Sequence, residues 1–171
     1  MSPWVRVAAI AAVGVLTTPS VAQAAPADHA KLAGLGQVVL SEPGALGHPV
    51  WFGVAASAAV DGESRGRFWF RHLLPDGSLL GQGWADVTCL RVTGNVALFT
   101  AVVPEGVGPM KNHAFYMKVL DGGGARPDQV AFIQARGGPD RPPTRCLDFD
   151  VEYPGQPRHQ VRTGGFVVHG D

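Results

Sequence analysis

Residues 67–103 constrain the fold of this chain more than any other stretch. Arg67-Phe68-Trp69-Phe70-Arg71-His72 alternates, with Phe68, Phe70 and His72 on one side and Arg67, Trp69 and Arg71 on the other. Alternation rich in aromatics marks a half-buried β-strand. Pro75-Asp76-Gly77-Ser78 then reverses the chain, because proline presets φ at the second turn position and glycine accepts positive φ. A long strand is expected from Leu79 to Val92. One face carries Leu79, Gly81, Gly83, Ala85, Val87 and Cys89, and the other Leu80, Gln82, Trp84, Asp86 and Thr88. Its glycines predict a bulge, a bend or the close approach of another backbone, and such devices curve a sheet. Thr93-Gly94-Asn95 turns the chain into Val96–Val103, an apolar run expected to be covered on both faces. Connections this short force antiparallel pairing, since parallel neighbours need a long crossover. The frequent glycine and proline, with many β-branched and aromatic side chains, exclude a helix here.

The same punctuation runs through the rest of the chain. Gly34–Leu40, Val50–Val60, His113–Leu120, Gln129–Gln134, Val151–Tyr153 and Gln160–His169 read as further strands, the last interrupted at Gly164-Gly165. Turn signals and glycine-rich loops separate them, notably at 41–49, 61–64, 104–109, 121–128 and 136–145. Short strands at this spacing predict an all-β fold, an antiparallel β-barrel or a strongly curved β-sandwich. Apolar residues make up 46% of 171, enough for a sizeable core in one domain.

The first 24 residues have a different character. Arg6 precedes an apolar run from Val7 to Leu16, Pro19 breaks it, and Ala22-Gln23-Ala24 offers a small-x-small cleavage site. This is the layout of a secretory signal peptide. The apolar run is about half of what a spanning helix needs, so no membrane span is expected in the mature chain. The expected organisation is a signal peptide over 1–24, a flexible leader over 25–33 and one β domain over 34–171, with the product secreted and extracellular. Its two cysteines, Cys89 and Cys146, would then meet an oxidising compartment and pair as a disulfide.

Composition narrows the function without naming it. Formal net charge is zero, charged residues are 16%, and lysine occurs only at positions 31, 111 and 118, so no basic face for nucleic acid is expected. No Gly-x-Ser-x-Gly elbow and no His-Glu-x-x-His motif occurs, and two isolated cysteines lack zinc-site spacing. No catalytic residue, metal ligand or cofactor is assigned. Asp148, Asp150 and Glu152 alternate and would share a strand face, a solvated face before a calcium site. The remaining candidates for a ligand surface are Trp69 and Trp84, which with Trp51 form either an aromatic platform or packing for a second layer, together with His72, His113, Asp121 and Asp128.

Several of these features recur together. Gly81-Gln82-Gly83, Asp86-Val87-Thr88-Cys89-Leu90-x-Val92-x-Gly94-Asn95-x-Ala97, Asp121-Gly-Gly-Gly with Pro127-Asp128, Cys146 and Gly165-Phe166-Val167-Val168-His169 resemble a family of small secreted bacterial proteins of unknown function. The resemblance spans about Arg67 to His169 and implies secretion and an all-β fold. It implies no activity. The loop here reads Asp121-Gly122-Gly123-Gly124, without the asparagine and glutamate of the family's D-N-G-E-G. The expected function is non-catalytic, the binding of an unknown small or extracellular ligand or an envelope or matrix role. An enzyme using loop carboxylates and a histidine, and an extracellular protein-interaction module, are the alternatives. The oligomeric state is left open.

Overall fold

A computed structural model describes residues 28–104, 113–136 and 144–170. The expected signal peptide lies outside these residues. Nine strands form one sheet: β1 (Asp28–Val39), β2 (Pro49–Ala59), β3 (Ser64–Leu73), β4 (Leu79–Thr93), β5 (Val96–Val102), β6 (His113–Leu120), β7 (Gln129–Arg136), β8 (His159–Gln160) and β9 (Thr163–His169). A single turn of helix, α1 (Phe149–Glu152), precedes β8. The strands run in the order β8-β7-β6-β5-β4-β3-β2-β1-β9 and every neighbouring pair is antiparallel. The fold is thus all-β, a meander that curls on itself into a half-barrel.

The inner face is lined with phenylalanines. Phe68 sits at the centre, its ring 5.8 Å from Phe52, 5.5 Å from Phe99 and 5.2 Å from Phe115. Leu32, Val38, Met117, Val119 and Val130 complete the same cluster, all essentially buried. Burial on this scale is the main stabilising term, roughly 25 cal/mol for each Å² of apolar surface removed from water.

The outer face is divided. Over β5, β6 and β7 a second cluster forms, in which Leu147 and Phe149 cover Ala114, Tyr116 and Ala131. The Thr100 hydroxyl donates to the Arg145 carbonyl at 2.6 Å, and Cys146 is joined to Cys89, their Cα atoms 5.5 Å apart. Val96–Val102 is therefore covered on both faces, as its unbroken apolar run requires. Over β9, β1, β2, β3 and β4, no described segment provides such a cover.

Three expectations need correcting. Residues 28–33 are not leader; they begin β1 and pair with β2 and, from Lys31, with β9. Residues 151–153 are not a strand. Asp148 caps α1 by accepting from the Asp150 N–H at 3.2 Å, a local bond that competes with extended pairing. Finally, β4 does not keep one face throughout. The register slips between Val87 and Cys89, so Thr88 is the extra residue, Cys89 stands opposite Thr100 on the outer face, and Leu90 turns inward. That bulge is what aims Cys89 at the segment carrying Cys146.

Candidate functional site

One end of the half-barrel holds an open hollow of about 180 Å³. Phe52, Phe70, Phe115 and Phe132 form its walls, with Leu80 and Gly81 at the rim and His72 and Gln134 as its polar groups. Each position follows from strand register. Phe70 and His72 alternate inward on β3, and His72 lies opposite Gly81 of β4. Leu80 is the extra residue of a second slip, between His72–Gly81 and Leu73–Leu79, and is 56% exposed. Of the Gly81-Gln82-Gly83 run, Gly81 lines the hollow and leaves room there, whereas the Phe70 ring packs against Gly83. A Cβ at Gly81 would meet nothing within 4 Å, and one at Gly83 would lie 3.1 Å from the Phe70 ring.

The polar groups are themselves paired. His72 Nε2 lies 3.0 Å from His48 Nδ1, so one imidazole donates and the other accepts. Burial first, and the neighbouring His48 second, hold the His72 pKa below its ordinary value near 6.5. Across the hollow, Gln134 Nε2 lies 2.9 Å from His113 Nδ1. The structure thus brings His72 and His113 to the same end of the sheet, and adds His48 and Gln134, which sequence reasoning did not single out. Among the described residues, no group of three or more His, Cys, Asp and Glu side chains is placed to hold a metal ion.

Asp121 and Asp128 serve another part of the molecule. Asp128 accepts from the Gly122 N–H at 2.8 Å and from the Phe166 N–H at 2.6 Å. Asp121 accepts from the Gly123 N–H at 2.7 Å and the Val168 N–H at 3.1 Å. Both carboxylates reach from the β6–β7 loop to the backbone of β9. Two backbone bonds complete this seam, Val161 N–H to the Asp128 carbonyl at 2.9 Å and Arg162 N–H to the Gln37 carbonyl at 2.7 Å. A carboxylate–histidine pair does exist, but between other residues. Buried His159 meets Glu42 at 2.8 Å, tying the β1–β2 loop to β8, and its ring stacks obliquely 5.8 Å from Phe132. The signal for it, an acid in one turn and a histidine 117 residues later, cannot be read without the topology.

Trp69 and Trp84 stand on the uncovered outer face, directly opposite each other on β3 and β4. Trp84 is 55% exposed, so neither a second sheet nor the α1 segment packs on it.

No protein-family model, no curated protein and no solved structure matches this chain. The Cys89–Cys146 pair is compatible with an extracellular protein, and no helix among the described residues is long and apolar enough to cross a membrane.

Proposed function

We propose that this chain is an exported, non-catalytic binding protein whose ligand is a small aromatic or apolar molecule carrying one hydrogen-bonding group. The hollow carries the reading. An apolar cavity of about 150 Å³ accepts benzene, and this one is somewhat larger, walled by four phenyl rings and furnished with two polar side chains. That combination, mostly apolar with a few convergent polar groups, is the ordinary make-up of a small-ligand site. Export rests on the layout of residues 1–24 and on the resemblance to secreted bacterial β proteins.

An enzyme reading would gain from a histidine of the hollow within reach of Asp121 or Asp128. Both aspartates instead bind the backbone of β9, so the binding reading is preferred. The test is a thermal-shift and NMR titration of residues 25–171 with indole, p-cresol, benzoate and hexanoate. A ligand at a hundred times its Kd adds about 2.7 kcal/mol, which is several degrees. Gly81→Leu places a side chain where a Cβ has free space, at the rim of the hollow. We expect binding by the natural chain and loss of binding in that variant at unchanged melting temperature. Failure of all four probes, or equal binding by Gly81→Leu, would sink the proposal.

A further inference from the structure

The uncovered outer face carries a strip that the hollow does not use. Register sets Leu35, Gly53, Trp69 and Trp84 opposite one another across β1, β2, β3 and β4. Three inter-strand spacings make the strip about 14 Å long. The indole centroids are 6.4 Å apart with planes tilted by 48°. Gly53 contributes no side chain, and its neighbours close over it. A Cβ there would lie 3.3 Å from Leu35 Cδ1 and 3.5 Å from Trp69 Cε3. The strip is therefore continuous and low.

Rows of mixed character, each with polar side chains on β3 and β4, flank it. On one side Gln37, Trp51, Arg71 and Gln82 stand opposite one another in the next row. On the other, Arg67 is held by Asp86 at 3.0 Å. Leu35 is 48% and Trp84 55% exposed.

We infer that this strip binds a glycan chain laid across the strands. A pyranose ring has one apolar C–H face and a rim of hydroxyls. The face suits an indole platform, and the rim suits planar amide and guanidinium groups that donate and accept in fixed directions. The apolar strip itself is one row of side chains about 14 Å long and about 7 Å wide, on the order of 100 Å², a match for one narrow chain rather than for the broad apolar centre of a protein interface. A short oligosaccharide fits the length, and its successive rings can use the two indoles in turn.

The experiment is native affinity electrophoresis of residues 25–171 in gels containing laminarin, xylan, hydroxyethyl cellulose, glycol chitin or polygalacturonate. At least one polymer should retard the protein. Trp84→Ala and Trp69→Ala should each weaken retardation at least tenfold with the circular dichroism spectrum intact. Gly81→Leu should leave retardation unchanged, which separates this site from the hollow. The inference is overturned if no polymer retards the protein, or if retardation survives both tryptophan substitutions. It is equally overturned if light scattering shows a dimer that Trp84→Ala converts to monomer with no retardation by any polymer.

Discussion

Asp128 shows how much of this fold depends on single side chains. Its two oxygens satisfy backbone N–H groups 6 and 38 residues away in sequence, the second on another strand. A donor left unpaired in a partly buried place costs about 1–3 kcal/mol. Asp128→Ala should therefore lower stability by about 2–4 kcal/mol, measured as a fall in the urea midpoint at unchanged slope. Asp128→Asn, which keeps one acceptor but turns an amide N–H toward a donor, should fall between. His72 makes a prediction in pH. Its folded-state pKa is lowered, so between that value and 6.5 the unfolded chain binds more protons than the folded one. Stability is then complete above 6.5 and is lost as pH falls through the folded pKa. Melting temperatures from pH 8 to 5 should show this loss, and His72→Gln should remove that part of the slope. An unchanged profile in His72→Gln would show that His72 does not titrate in this window.

At the scale of elements, the meander was readable because its signals are local. The strands around Arg67–His72, Leu79–Val92, Val96–Val103 and His113–Leu120 all appear where alternation and turn residues put them, within about three residues at their ends. What escaped depends on distant partners. Residues 28–33 look like a polar leader until β9, more than 130 positions later, pairs beside them. The Thr88 bulge has no local marker, since the glycines of β4 lie elsewhere, yet it decides which way Cys89 points. Of the candidate site, His72 and His113 were visible as inward residues of two strands, but only topology brings their ends together. Asp121 and Asp128 were visible as loop acids, and their purpose lies in a strand that follows much later. The pairing of Cys89 with Cys146 was expected from two cysteines in a chain whose first residues have the layout of a signal peptide. Closing a span of 57 residues is worth about 4 kcal/mol in the chain-entropy model. Cys89→Ser/Cys146→Ser should lose stability of that order. Limited proteolysis should then cut within 144–153 before the sheet, because Leu147 and Phe149 lose their tether.

For the whole molecule, the weak point is the seam where β8 and β9 come round to meet. Among the described residues, β8 contributes two paired residues, His159 and Gln160, and β9 pairs with β1 alone. Packing at this crossing is tight. Gly164 has φ of +80°, and a Cβ on it would come within 2.0 Å of the Leu35 carbonyl oxygen, so Gly164→Ala must displace β9. By contrast β4, β5 and β6 are paired on both sides, joined by short connections where described, and clamped by the disulfide. Pairing of β1 with β9 spans nearly the whole described chain, and contacts of such separation are slow to form because loop closure precedes their reward. Opening should follow the same hierarchy. In native-state hydrogen exchange, amides of β8 and β9 should exchange through a partial opening, while those of β4–β6 exchange only with global unfolding. Asp128→Asn tests the cause. It should speed exchange along Gly165–Val168 at least tenfold, in excess of any change in global stability, and leave β5 and β6 governed by global unfolding. Equal acceleration across all strands would mean that the half-barrel opens as one unit and that the aspartate clasp does not govern its seam.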